Sequence, residues 1–369
     1  MLRVSEPDLS RLELANVNQA VESTLISGTG PFVVESEHSI QAMTGASYAL
    51  ATSNGTASLH LCLMTLGLAP GDEVIVPSFT YIASVNAILY VGASPVFVDV
   101  DADTWTIDPA EIVHAISPRT KAIMAVHLYG HPFDGKLIRD IANQHGLFVI
   151  EDAAEGHVST SHGNRAGNIG DIASFSFFGN KVLTAGEGGA ITTNRSNLYE
   201  LAAVIRNQGM NPNRRFEHNV VGNNFRLNNV SAAILAAQLQ RREEILQKRQ
   251  TIIDAYTELL SGTKFELHQR ASWATTTPWL FSLLMPKGTR VSRDLVLRRL
   301  ESRGIETRPL FLPAHSMKPY KNFRRGSKKF TNSIELSERG FNLPTSSKMS
   351  TTEAEWVVAE LMNAAEIKS

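Results

Sequence analysis

"SFSFFGNKVLTAGEGG", residues 174–189, sets a lysine at the end of an apolar run. From Ile172 to Gly186 every residue is uncharged except Lys181. The stretch up to Phe178 reads as a buried strand, with Phe175, Phe177 and Phe178 apolar and Ser174 and Ser176 alternating with them. Glycines follow on both sides of the lysine. An ammonium group at the end of a buried strand is costly to ionise, so its presence there asks for a use.

Outward from this stretch, short β-branched runs alternate with helical periodicity through the first two thirds of the chain. Strands are expected at "YALAT" (48–52), "EVIVP" (73–77), "PVFVDV" (95–100), "KAIMAVH" (121–127), "LFVIED" (147–152), "IASFSF" (172–177) and "GAITTN" (189–194). Helices are expected to start near Thr56, Tyr81, Pro109 and Gly135. The alternation implies an α/β domain around a mostly parallel sheet covered on both faces. In such sheets ligands sit beyond the carboxyl ends of the strands. One long helix is expected from about Asn229 to "TELL", Ala/Leu-rich at first and strongly charged from Arg241, as a connector leaving the large domain. Residues 1–245 are therefore expected to form an N-terminal segment and the large domain, and residues 246–369 a smaller α/β domain.

The 369 residues are 43% hydrophobic and 19% charged, with a formal net charge of −1, the profile of a soluble globular protein with a substantial core. Near-neutral charge argues against nucleic-acid binding; "RRFEH" and "RRGSKKF" read as solvated loops. The single cysteine, Cys62, excludes an intrachain disulfide framework. Residues 74–98 lack Asp, Glu, Lys and Arg, yet Pro77, Asn86, Gly92 and Pro95 divide the run into strand, helix and strand rather than a membrane span. "MLRVSEPDLS" has no apolar signal-peptide core, and a cytoplasmic location is expected.

The strand ends hold the candidate chemistry. "LFVIEDAAEGH" closes a strand with Glu151 and Asp152, acids that could equally cap a helix or face solvent. "ATSNGTASLH" opens a helix at Gly55 and Thr56, an ordinary start or an anion site. "PSFTYIAS" puts Thr80 and Tyr81 past another strand, and Ser176 stands five residues before Lys181. Taken together, these suit pyridoxal 5′-phosphate. That cofactor needs a lysine for a Schiff base, a carboxylate at its ring nitrogen, donors for its phosphate and a flat side chain against its ring. A desolvated lysine is the better nucleophile towards its aldehyde. Rival signatures are missing: no GxxxxGK[ST], no strand-following GxGxxG, no GxSxG. His157 and His162 beside Glu151 and Asp152 match no standard metal spacing, and no metal is expected.

These motifs, with "ISGTGPFV", "PGDEVIVPSFTYIASVNAI", "VHLYGHPFD", "GDIASFSFFGNKVLTAGEGG", "VVGNNFRLNNVSAAILAAQL" and "GIETRPLFLPAH", resemble almost end to end the DegT/StrS nucleotide-sugar aminotransferases. The resemblance implies fold type I of the pyridoxal phosphate enzymes, an α/β fold with a mostly parallel mixed sheet between helices plus a smaller C-terminal α/β domain. "HLYGHP", "FSFFGNK" and "GNNFRLNN" look most like the GDP-perosamine synthases, which aminate C4 of GDP-4-keto-6-deoxymannose with L-glutamate and serve O-antigen synthesis. Carried over by position, Lys181 matches the Schiff-base lysine and Asp152 the partner of the ring nitrogen. Gly55, Thr56 and Ser176 match phosphate contacts, Tyr81 the ring-stacking aromatic, and Glu155 a group near the phenolic oxygen. Arg226 matches a residue reaching the phosphate of the neighbouring subunit, which implies a homodimer with active sites at its interface. Arg308 and His315 fall where relatives border the substrate pocket. Some relatives replace the lysine by histidine and dehydrate sugars; Lys181 favours transamination. Asn223 and Phe225 stand where tyrosines are commoner, a departure in the pocket region. A UDP- or dTDP-keto sugar or a cyclitol as substrate, a sugar dehydratase, and a non-catalytic sensor are the alternatives.

Overall fold

A computed structural model of the chain describes residues 1–367. Lys368 and Ser369, the end of the expected second domain, lie outside the described residues. Strands run in chain order as β1 (Tyr48–Thr52), β2 (Glu73–Pro77), β3 (Ser94–Val98), β4 (Thr120–Val126), β5 (Phe148–Asp152), β6 (Thr160–Ser161), β7 (Asn164–Arg165), β8 (Ile172–Ser176), β9 (Gly189–Thr193), β10 (Glu266–Leu267), β11 (Ala274–Thr275), β12 (Phe281–Leu284), β13 (Arg308–Pro309), β14 (Arg324–Arg325) and β15 (Gly340–Leu343). The large sheet has the order β1-β9-β8-β5-β4-β2-β3-β14. Its pairs are parallel except where β9 meets β8 and β1. The expected α/β fold with a mostly parallel mixed sheet is what the chain adopts. β2, β8 and β9 are buried along their whole length, which is why they read as unbroken apolar or small-residue runs.

Helices cover both faces. They are α1 (Arg11–Glu22), α2 (Pro31–Thr44), α3 (Gly55–Thr65), α4 (Ala83–Tyr90), α5 (Pro109–Ala115), α6 (Gly135–His145), α7 (Ser196–Arg206), α8 (Asn229–Gln240), α9 (Arg242–Leu259), α10 (Arg293–Ser302), α11 (Thr331–Arg339) and α12 (Thr351–Ala364). Local chemistry sets their starts. Asn54, Asp108, Asp134, Asn228 and Ser292 accept backbone hydrogen bonds as N-caps, and Ser10 with Glu13 and Ser350 with Glu353 form capping boxes. Ala/Leu-rich α8 has little polar face because the core closes around Ala232, Ala233, Leu235, Ala236 and Leu239.

The long connector helix expected from Asn229 is two helices. At Arg241, which ends α8 and precedes α9, the guanidinium turns to Asp8 Oδ1 at 2.9 Å and Glu13 Oε1 at 2.8 Å. This partly buried cluster with the N-terminal segment favours a break over a continuous helix. Beyond it, α9 buries Ile252, Ile253 and Tyr256 in a separate core with α10, α12, β12 and β15. The four-stranded sheet β10-β12-β15-β13 lies in this part of the chain. The chain leaves it twice: between β10 and β12, β11 pairs with β6 in a three-stranded sheet with β7, and after β13 the chain runs back so that β14 pairs with β3 at the edge of the large sheet.

Candidate active site

Beyond the carboxyl ends of β1, β2, β5 and β8 opens a cavity of about 800 Å³. Gly55, Thr56, Tyr81, Asp152, Glu155, Ser176, Lys181 and Arg308 all line it. A wider cleft of about 1080 Å³, between residues 101–109 and 260–273, is lined by Asp101, Asp103, Asp134 and Glu266 and by no lysine. Only the first cavity gathers the groups that the strand ends announced.

Lys181 follows β8 through a turn in which its own N–H donates to Phe178 O at 2.9 Å. Its side chain is 12% exposed, with Nζ 3.5 Å from Glu155 Oε1 and 4.2 Å from the centre of the Trp279 ring. A carboxylate and an indole face are the two kinds of surface that hold an ammonium in a partly dry site. Glu155 is fixed by the Tyr129 N–H, which donates to Oε2 at 2.8 Å. Burial raises the Glu155 carboxyl above its usual range, against the pull of nearby Lys181.

Asp152 ends β5 with 5% of its surface exposed. Ser84 Oγ donates to its Oδ2 at 2.7 Å, and the Ala154 N–H donates to Oδ1 at 3.2 Å. Ser84 is buried on the first turn of α4 and also meets Thr80 Oγ1 at 3.1 Å. No charge and no break in an apolar run marks this serine in the sequence. Its signal was the four-residue spacing from Thr80, which puts both hydroxyls on one side of a helical turn.

At the opposite wall, Asn54 caps α3 by accepting the Ala57 N–H at 2.8 Å. Gly55 follows, and a Cβ there would stand 2.6 Å from the Ser176 Cβ. Glycine thus lets the start of α3 come against the end of β8, setting amide donors and the Ser176 hydroxyl side by side. Tyr81 is 58% exposed, its ring 5.7 Å from that of Phe311. Buried Asn180 Oδ1, on a residue of the cavity wall, has no hydrogen-bond partner among the described residues. An acceptor left open, a cradle that admits only glycine, an amine, and a carboxylate across from it fit a phosphorylated aldehyde cofactor of the pyridoxal kind.

Two expected residues do not line this chain's cavity, one of them, Arg226, expected at the neighbouring subunit's site instead. His315 does not line the cavity: its ring stacks on Phe330 at 3.9 Å, and Nδ1 lies 2.6 Å from Ser78 Oγ, behind the strand end that carries Tyr81. There it clips the returning segment to β2. Arg226 is also outside its own chain's cavity, bonded to Asn207 and to Asn224 Oδ1. Arg308 lines the cavity and donates to Glu306 Oε1 at 3.1 Å. Trp279, Tyr129 and Phe311 were not foreseen; they come from strand ends and loops far apart in sequence, and no local pattern marks them.

A parallel-sheet fold with a lysine facing a buried acid at the strand ends defines a pyridoxal-phosphate enzyme. A profile of the DegT/DnrJ/EryC1/StrS aminotransferase family matches residues 7–362, and the chain belongs to that family. It is 42% identical over 362 residues to GDP-perosamine synthase of Caulobacter vibrioides, covering 98% of this chain and 97% of that protein. Identity to GDP-perosamine synthase of Escherichia coli O157:H7 is 41% over 342 residues, 93% of this chain and 92% of that one. Among solved structures, the putative sugar aminotransferase Spr1654 of Streptococcus pneumoniae in its PLP form superposes with a TM-score of 0.92, at 26% identity and 98% coverage of both chains. The protein is a pyridoxal phosphate-dependent aminotransferase.

Proposed function

We propose that this enzyme moves the amino group of L-glutamate to C4 of a nucleotide-linked 4-keto-6-deoxy sugar, converting GDP-4-keto-6-deoxymannose to GDP-perosamine. What carries this reading is the near full-length likeness to GDP-perosamine synthases, with the intact lysine–carboxylate site beneath it. When bound, pyridoxal phosphate supplies an aldehyde for the amine and a ring that accepts an electron pair. The amides of Gly55 and Thr56 and the Ser176 hydroxyl would hold its phosphate, and Tyr81 would lie against its ring. Asp152, oriented by Ser84, would keep the ring nitrogen protonated; Glu155 would stand near the phenolic oxygen. Lys181 Nζ would take the proton from the donor's Cα as base and, as acid, deliver it across the nitrogen to the carbon that the cofactor's aldehyde supplies. Its 12% exposure limits loss of that proton to water. In the second half-cycle the same amine would serve the sugar carbon in reverse.

We also place the working unit as a homodimer with active sites at the interface. Tyr81, Tyr90 and Phe178 line the cavity yet are 58%, 56% and 46% exposed, and Arg226 is not among the residues that line its own chain's cavity. A second copy would cover the first three and receive the fourth. No described helix is long and apolar enough to cross a membrane; we assign the enzyme to the cytoplasm, supplying an O-antigen sugar, with residues 1–245 and 246–369 as its domains. The test is a panel of GDP-, dTDP- and UDP-4-keto-6-deoxy sugars with glutamate, read by product mass. Amination of the GDP sugar is expected; turnover of a dTDP or UDP sugar with none of the GDP sugar overturns the assignment.

A further inference from the structure

Behind the cavity wall lies a buried cation that the reaction, as described, does not use. Arg249, on α9, is 1% exposed. Its hydrogen bonds go to the carbonyls of Trp279 (3.0 Å), Thr345 (2.6 Å) and Glu6 (3.4 Å) and to Ser5 Oγ (3.1 Å). No carboxylate pairs with it among the described residues. A guanidinium buried with a carboxylate, Asp8, acting on it only from beyond pairing distance is an expensive way to fill space, since an apolar side chain of similar volume packs there at less cost. Its forked donors can, however, tie three separated chain segments at once, which no apolar residue does.

Two of those ties converge on one atom. Ser5 Oγ donates onward to the Asn180 carbonyl at 3.0 Å, and the Trp279 indole Nε1–H donates to the same carbonyl at 2.8 Å. Asn180 directly precedes Lys181, and the Trp279 ring is the face over which Lys181 Nζ stands at 4.2 Å. The guanidinium therefore holds the backbone of the indole that flanks the amine. It also orients the hydroxyl that pins the peptide the amine springs from. The loop's own bonds, Lys181 N–H to Phe178 O and Ala185 N–H to Phe177 O, fix the turn around the lysine, and the Asn180 carbonyl is held from outside the loop by Ser5 and Trp279.

We propose that Arg249 is a positioning residue for amino transfer: through Ser5 and Trp279 it braces the Asn180 carbonyl and so fixes where the Lys181 amine stands. This rests on Lys181 being the lysine that carries the cofactor. Placement matters because a proton carrier displaced by about 1 Å loses up to about a hundredfold in rate.

The experiment compares the full-length enzyme with Ser5→Ala, Arg249→Met, Trp279→Phe and the pairs Ser5→Ala/Arg249→Met and Ser5→Ala/Trp279→Phe. All rates are taken per folded molecule, with folded fraction from circular dichroism. The readouts are kcat, KM for glutamate, the urea midpoint, and the rate at which the cofactor-free protein captures pyridoxal phosphate, trapped with borohydride and located by mass. Ser5→Ala should lower kcat and the capture rate about fivefold with KM changed less than about twofold. Adding it to Arg249→Met should do little more, because the hydroxyl has then lost its orienting group. Adding it to Trp279→Phe should lose more than the product of the single losses, because the carbonyl is left without a donor. Should Arg249→Met fail to fold, the Ser5 and Trp279 variants decide alone. A fallen urea midpoint with kcat and capture unchanged overturns the brace and leaves Arg249 a structural knot. Trapping at a lysine other than Lys181 in the parent enzyme overturns the site assignment itself.

Discussion

Lys181 works between a carboxylate and an indole face, and its neighbours divide the labour of holding it. Replacing it by alanine should leave pyridoxal phosphate bound without a covalent link, so that borohydride no longer fixes the cofactor to the chain and amino transfer stops. A cofactor still fixed covalently in Lys181→Ala refutes the assignment. A second residue-scale consequence concerns acid. Burial depresses His157 to about 3 and His131 to about 4, from an ordinary value of 6.5. Between those values and 6.5 the unfolded chain binds more protons than the folded one. Stability contributed by these neutral rings is therefore present above about pH 6.5 and is lost as pH falls through the window. His157 Nε2 donates to the carbonyl of Ser176, so the acid-sensitive ring lies beside the phosphate cradle. Urea midpoints at pH 7 and pH 5 should fall less steeply for His157→Gln than for the parent; equal slopes count against the argument. Lys181 and Asp152 stood out in the sequence because charge at the end of an apolar run is conspicuous. Ser84 and Trp279 did not, because a buried serine and a core tryptophan look alike whatever they touch.

The start of α3 is the element on which the proposed phosphate cradle depends. Asn54 supplies its cap, and Gly55 its approach to Ser176. Asn54→Ala should cost about 1 kcal/mol of stability through the lost cap. It should also weaken pyridoxal phosphate binding, as the first-turn amides lose their fixed direction. Equilibrium dialysis of cofactor beside urea unfolding checks both, and unchanged cofactor affinity would show that the cap and the cradle are independent. Elements whose starts carry their own chemistry were legible: α5 and α6 begin at Pro109 and Gly135 as expected, each behind an aspartate cap. The long connector was not, because α8 and α9 part where Arg241 meets Asp8 and Glu13, partners more than two hundred residues away in sequence. Helical periodicity continues across Arg241 and cannot register a contact that far off. For the same reason sequence order alone does not place the His315 ring: "FLPAH" follows cavity-lining Phe311, but Ser78 and Phe330 hold the imidazole outside the lining.

For the whole molecule, the proposed dimer rests on the exposed aromatics at the cavity mouth and on Arg226 lying outside its own chain's cavity. Sedimentation of the purified enzyme should give a dimer, and Arg226→Ala mixed with a Lys181→Ala partner should yield hybrids with one restored site. A fully active monomer would end the dimer proposal. The sheet's architecture was readable because its strands are short, apolar and bounded by turns. The path of residues 310–340 was not, since two-residue β14 has no pattern to read. Yet that small strand has an outsized effect on how the protein is made. The edge of β3 is finished by Arg324 and Arg325, which a ribosome delivers near the end of its work. Until then the nascent large sheet carries an open flank. A message truncated before codon 324 would therefore release a chain that keeps Lys181 and Asp152 but lacks β15 and α12, and it would carry a sticky rim on the large sheet inviting other strands. Completion of about the last eighth of the protein doubles as the step that covers the edge of a strand made within its first third.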